Sequence, residues 1–200
     1  MTSRTVRFYF AYNSPYAFLA NTRITTVLAP SGATLVYRPV YSPRTGGGPD
    51  ITSSRLRYMF EDVVRFAEAY GLQLDPGPFA DTRQACLGFL YAEAEGKGCP
   101  YHDAVYAARH LQGRDIGATD TLAEIAAGAG LERAAFLAAL DDPRWEAALA
   151  ASNADAERDE VRDVREVELP VPRRRAALRV LRRREELPVR ERLHAERQGR

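Results

Sequence analysis

Lysine is nearly absent from this sequence: Lys97 is the one example, so its positive charge is carried by arginine. Together with frequent Ala and Gly, that usage points to a GC-rich coding sequence. Cysteine is scarce too. Cys86 and Cys99 are the 2 present, too few for the disulfide framework of a small secreted domain. A structural zinc site would have to recruit His102, His110 or His194, and the spacing does not suggest one. No uninterrupted apolar run approaches the roughly 20 residues of a membrane-spanning helix. No basic stretch followed by an apolar one opens the chain after Met1. A soluble, cytoplasmic protein is expected. Its 200 residues, 46% hydrophobic, suffice for one large domain or a domain with an insertion.

What is present begins with aromatics. Residues 5–12 read Thr-Val-Arg-Phe-Tyr-Phe-Ala-Tyr, with Val6, Phe8 and Phe10 alternating as in a strand. Asn13-Ser14-Pro15 follows. Asn or Ser can cap a helix, and Pro suits its first position, so a helix is predicted over 15–28. Ala29-Pro30-Ser31-Gly32 breaks it, and residues 33–40 form a second strand. Strand, helix and strand in so short a span make a βαβ unit with parallel strands. After the Gly46-Gly47-Gly48-Pro49 loop, Leu56, Met59, Val63, Phe66, Ala67 and Tyr70 recur with helical spacing. Asp81-x-x-Gln84 and Thr121-x-x-Glu124 resemble capping boxes. Further helices are predicted at about 101–112, 120–129, 132–140 and 143–157. The expected architecture is α/β, a βαβ start followed by about a hundred mostly helical residues.

Chemistry concentrates at Asn13-Ser14-Pro15-Tyr16. A helix N-terminus carries unpaired N–H groups and partial positive charge, which stabilise an anion such as a thiolate. Ser14 cannot exchange disulfides, but its hydroxyl can donate a hydrogen bond to the thiolate of a bound thiol. Ser14-Pro15 also reads as an ordinary helix start, and the motif alone leaves both readings open.

These residues, in order with Leu19-Ala20, Tyr37-Arg38-Pro39-Val40, Arg55, Tyr58-Met59, Asp62 and Gly113-Arg114-Asp115-Ile116, resemble a known family. It is that of the 2-hydroxychromene-2-carboxylate isomerases and kappa-class glutathione transferases, in the DsbA-like thioredoxin superfamily. The resemblance covers about residues 5–158. It implies a thioredoxin-like fold with a large all-helical insertion and a glutathione-dependent isomerase or transferase acting on a small molecule. It implies that Ser14 is the catalytic residue at the glutathione sulfur, with Asn13, Pro15, Tyr16 and Arg55 binding the thiol or substrate. Arg55 stands where transferases of this type carry a Lys, and a guanidinium fork replaces a compact ammonium. Pro49 and Asp50 occupy the loop in which the family has an Asn. Glutathione is the expected cofactor, no metal is expected, and a homodimer is compatible.

Other features carry less. Cys99-Pro100-Tyr101-His102 looks like a redox motif without its second Cys, and it follows a helix and a Gly turn. Cys86 lies on an apolar helical face and is expected in the core. Disulfide oxidoreductase activity is therefore not expected. His102 and His110 read as surface or cap residues, and Asp62 and Arg65 as an i,i+3 pair on a solvated face.

The tail, 159–200, is different. Residues 173–200 hold eleven Arg and four Glu, about +7, so the remainder of the chain sums to about −6 against a net +1. The Arg block 173–184 could bind an acidic surface or nucleic acid, but it has no aromatic residue for base stacking, so no nucleic-acid partner is expected; without a spanning apolar run, no membrane partner is expected either. A solvated, poorly ordered tail is the plainer reading. The resemblance implies a Val-Pro turn, two strands and a helix here. Glu160-Val161-Arg162-Asp163-Val164 matches its start only faintly, so the C-terminal sheet strands read as degraded or missing. A sheet without them exposes an edge and an apolar face. A frameshift near 160–168 is a reading that fits. Back-translating 169–181 with permitted codons, chosen for the purpose, and reading one base later can give Phe-Pro-Phe-Arg-Gly-Asp-Glu-Leu-Arg-Phe-Gly-Phe, a strand, a turn and a strand. The alternatives are then an inactive or truncated family member, or a binding protein acting through its basic tail. Sequencing the gene decides: a shifted frame should encode a Gly-Val-Pro followed by strand-like sequence, and its absence removes the idea.

Overall fold

A computed structural model describes residues 4–43, 54–161 and 167–168. Strand β1 (Thr5–Phe10) leads into helix α1 (Pro15–Leu28), a short 3-10 turn at Ala29–Ser31, and strand β2 (Thr34–Pro39). The two strands are parallel neighbours, with Phe8 opposite Tyr37 and Phe10 opposite Pro39. The predicted βαβ unit is therefore present. Gly32 ends the turn at φ 63°, a left-handed backbone that glycine adopts without a Cβ penalty.

Among the described residues, six helices follow: α2 (Ser54–Ala69), α3 (Arg83–Ala94), α4 (Gly98–Leu111), α5 (Thr119–Gly128), α6 (Arg133–Leu140) and α7 (Pro143–Arg158). This is the helical insertion the periodicities predict. Two capping details differ. The N-cap of α3 is Thr82; Asp81, one residue earlier, accepts from the Arg83 N–H at 2.9 Å, and Gln84 accepts a hydrogen bond from the Thr119 hydroxyl instead of closing a box. Helix α5 starts at Thr119, so Thr121 is already inside it and caps nothing.

Alternation along β1 sets the core. Val6, Phe8 and Phe10 are fully buried. Phe10 meets Phe89 of α3 edge-on at 5.1 Å, and lies 4.2 Å from His102 and 6.1 Å from Tyr106, both of α4. Rings meeting edge to face add to what their area burial contributes. On the other face, Arg7 and Tyr9 reach Asp159, just past α7, at 2.8 and 2.6 Å. Burial first, then that hydrogen bond, pushes the Tyr9 phenol up to about 12, while Tyr9 and Arg7 hold the Asp159 carboxyl below its ordinary value. Helix α7 is also fastened to β2: Ser152 donates to the Pro39 carbonyl at 2.7 Å, and Asn153 bonds both the N–H and C=O of Tyr41.

The fastening of α7 directs the chain back to β1. A two-residue strand, β3 (Val167–Glu168), pairs antiparallel with β1, giving the order β2-β1-β3. Where the sequence reading has the C-terminal strands degraded or missing, this short stretch does pair. The rest of that reading falls on 169–200, outside the described residues, as do the Arg block and the glycine-rich loop at 46–48.

His102 and His110 correct the sequence reading. Neither is at the surface; both are buried, on the face of α4 turned to β1. Cys86 is fully buried as expected, and burial pushes its thiol up to about 12.

Helices α3, α4 and α6 approach closely at Gly88. A Cβ there would stand 2.5 Å from the Tyr101 hydroxyl and 2.7 Å from the Phe136 ring. Both neighbours are buried, so neither can swing away. Gly88→Ala is expected to destabilise the protein by about 1–3 kcal/mol, the usual cost of overpacking. Urea unfolding reads this directly, and an unchanged midpoint would contradict the tight α3–α4–α6 contact.

Candidate active site

The β1–α1 junction is built by a turn and a cap. The Ser14 N–H donates to the Ala11 carbonyl at 2.9 Å, closing a four-residue turn. Ser14 is the N-cap of α1, extended at φ −82°, ψ 112°, and its Oγ accepts from the Ala17 N–H at 3.2 Å. Pro15 takes the first helical position, where its missing N–H costs nothing. No acidic residue stands in the first turn, so no carboxylate offsets the positive end of the helix. Because the Ser14 oxygen acts as the cap acceptor, its hydroxyl proton is what the side chain can offer a ligand. Asn13, Ser14, Pro15 and Tyr16 are all half-buried.

The expected site residues separate in the structure. Asn13 and Ser14 lie side by side at the turn. The Asn13 amide donates to the Ala80 carbonyl at 2.8 Å, so this side chain also holds the segment leading into α3. Tyr16 faces α2 and donates to Asp62 at 2.9 Å. Asp62 also pairs with Arg65 at 3.1 Å, confirming the i,i+3 pair but giving it a second task between α1 and α2. Arg55 is in the first turn of α2, and its side chain lies outside the described residues.

Sequence reasoning missed the helix that grips the junction from behind. His102, Tyr106, Arg109 and His110 stand on one face of α4, four, three and one residues apart. His102 Nδ1 lies 3.4 Å from the Tyr12 hydroxyl. The Tyr106 hydroxyl donates to the Ala11 carbonyl at 3.3 Å. Arg109 Nε donates to Asn13 Oδ1 at 3.4 Å, and the guanidinium also donates to the Gly77 carbonyl. His110 Nε2 lies 2.9 Å from the Tyr12 carbonyl, with its ring stacked on Phe18 at 4.8 Å. Four side chains of one helix thus hold residues 11–13, directly before Ser14. The signal was present as the i, i+4, i+7, i+8 spacing, but polar residues at that spacing also fit a solvated face.

Their partners fix the ring protons. A carbonyl can only accept, so neutral His110 carries its proton on Nε2. Asn21 donates its amide to Asp103 at 2.8 Å, so its Oδ1 faces His102 Nε2 at 3.2 Å and accepts from it. His102 Nδ1 is then free to accept from Tyr12. Burial lowers both imidazoles to about 3, and neighbouring Arg109 also disfavours charge on His110.

Neither cysteine contributes a thiolate to the junction. Cys86 is in the core, and Cys99, in the first turn of α4, is raised by desolvation and then by Asp103 and Glu93. Among the described residues, no cluster of three or more His, Cys, Asp and Glu is placed to hold a metal ion. No described helix is long and apolar enough to cross a membrane.

Comparison with known proteins agrees with this architecture. Residues 5–163 match the DSBA-like thioredoxin domain, and the chain belongs to that family. A 2-hydroxychromene-2-carboxylate isomerase of Pseudomonas putida is 28% identical over 138 residues, 66% of this chain and 68% of that protein. A solved 2-hydroxychromene-2-carboxylate isomerase structure superposes with a TM-score of 0.74 at 22% identity, covering 96% of this chain and 98% of the other. The cytosolic disulfide reductase DsbM of Pseudomonas aeruginosa, solved with GSH, superposes with a TM-score of 0.62 at 20% identity, covering 84% and 89%. The fold is thus thioredoxin-like with a helical insertion, in a family with isomerase relatives.

The buried imidazoles make stability depend on pH. The unfolded chain takes up protons near the ordinary value of 6.5, whereas the folded chain holds both rings neutral down to about 3. In that window the unfolded state binds more protons, so stability falls as pH falls, by at most about 1.4 kcal/mol per pH unit for each ring. Urea unfolding between pH 6 and pH 4.5 should show this slope, and His110→Gln should reduce it. An equal slope in the variant would mean that His110 protonates in the folded protein.

Proposed function

We propose that this protein is a glutathione-using isomerase or transferase whose Ser14 stabilises the thiolate of bound glutathione. The carrying observation is Ser14 as N-cap of α1, with Pro15 next and no acidic residue in the first turn. The name borne by the P. putida relative supports the isomerase reading, and the GSH in the DsbM structure supports the thiol.

The residues fit such a ligand. The first N–H groups of α1 and the Ser14 hydroxyl favour a sulfur anion over the neutral thiol and so lower the thiol's pKa. Bound glutathione would supply the nucleophilic sulfur, and the Ser14 hydroxyl with the first α1 amides would hold that sulfur as the thiolate. Asn13 is fixed next to that sulfur position, and Tyr16 borders it toward α2. Arg55 is proposed to bind a carboxylate of glutathione or substrate. Dependence on glutathione fits a cytoplasmic location, and the substrate is a small molecule.

Titration of the purified protein with glutathione is the first measurement. The bound thiol should ionise, by its thiolate absorbance, below the ordinary thiol value of about 8.5. Ser14→Ala should then lower turnover roughly 10–1000-fold, the range for one lost oxyanion donor. Full turnover of the variant with any active substrate would end the Ser14 assignment.

A further inference from the structure

Arg109 is buried to 3% exposure, at the meeting point of three segments that the sequence keeps far apart. One is the β1–α1 turn, reached through Asn13. The second is the 75–80 segment, which Arg109 holds twice: the guanidinium donates to the Gly77 carbonyl, and the Arg109 carbonyl accepts from the Gly77 N–H at 2.8 Å. The third is the C-terminal end of α4 itself, where the His110 carbonyl accepts from the Asp75 N–H at 2.9 Å. The far end of the 75–80 segment returns to the turn, because the Ala80 carbonyl accepts from the Asn13 amide. Asn13, Ala80, Gly77 and Arg109 therefore close a ring of hydrogen bonds in which Asn13 has both ends of its amide engaged.

The ring leaves little freedom. A Cβ on Gly77 would fall 2.1 Å from the Arg114 carbonyl oxygen, so the segment lies against backbone at that point. The Phe79 ring covers the guanidinium, 5.2 Å from its centroid. An arginine suits this place because its planar fork directs separate N–H groups at the Asn13 and Gly77 oxygens, whereas a lysine ammonium is a single centre.

We infer that Arg109 is a positioning residue for the thiol site: it fixes Asn13 and the turn, and so sets where the Ser14 hydroxyl and the first α1 amides point. This inference rests on the proposed role of Ser14 as thiolate donor. Arg109 itself does not touch the ligand. Its loss should therefore affect ionisation of the bound thiol, which depends on donor direction, more than binding of the tripeptide as a whole.

Arg109→Met, Arg109→Lys and Asn13→Ala would be compared with the unmodified full chain, each checked for cooperative thermal unfolding. In Arg109→Met the pKa of the bound glutathione thiol should rise by about one unit, a tenfold loss of thiolate. The dissociation constant at a pH where the thiol is neutral should change less than threefold. Asn13→Ala should give a similar rise, and the double variant should add little to either, because both break one ring. Lysine should restore only part of the effect; if Arg109→Met does not fold, Arg109→Lys carries the test. An unchanged thiol pKa in a folded variant, or fully additive effects, would overturn the inference. A second readout needs no ligand: the Ser14 backbone amide and Asn13 side-chain amide should shift in the NMR spectrum of the free Arg109 variant. If the unmodified protein fails to lower the glutathione thiol pKa, the proposed function falls, and the NMR comparison alone decides the inference. Unmoved Ser14 and Asn13 signals would then refute it.

Discussion

The site depends on the packing of α4 against β1. Phe10 is fully buried, and α4 supplies part of its cover with His102 and Tyr106. Once α4 lies there, its last two turns project over the end of β1, where the chain turns into α1. The apolar contact that stabilises the sheet is thus also what places the polar grip on residues 11–13. Hydrophobic burial is not directional, but alternation in a strand and the period of a helix make it so.

Two polar tethers do comparable work elsewhere. Asp159 binds Arg7 and Tyr9 on the face of β1 turned away from Phe8 and Phe10, and Ser152 and Asn153 bind the end of β2. Together they bring the chain out of the helical insertion beside β1, where β3 pairs. Partly buried pairs of this kind contribute little net stability and much direction, because a wrong register would leave their charges or carbonyls unpaired. The insertion can therefore be large without disturbing the sheet: its end is fastened to both β1 and β2.

Much of this was legible in the sequence. The β1 aromatics, the cap at Ser14-Pro15 and the helical periodicities from Met59 onward each reflect a local rule, and local rules can be read from neighbouring residues. The Thr121 box failed because Thr119 begins the helix, and S/T-x-x-E patterns also occur inside helices. His102 and His110 were misplaced for a different reason. Their burial depends on Tyr12 and Asn21, about ninety and eighty residues earlier in the chain, and on a strand packing at that point of α4. The same applies to Arg109: a buried arginine is tolerated only where acceptors from distant segments converge, and nothing adjacent to it announces them.

A serine at this junction has a consequence for the chemistry. A helix N-terminus lowers the pKa of whatever thiol lies against it, and redox proteins of this fold use that effect on a cysteine of their own. Here the chain's cysteines are elsewhere, and both have their thiols pushed upward, Cys86 by burial and Cys99 by desolvation and two carboxylates. If the junction works on a thiolate, the sulfur must come from outside. An external thiol can dissociate, so the protein must hold it by its other groups while the helix end acts on the sulfur alone. That division of labour favours a rigid junction over an adaptable one: donors already aimed at the sulfur incur no reorganisation when the ligand arrives. The hydrogen-bond ring through Asn13, Ala80, Gly77 and Arg109 is the kind of support such a junction requires.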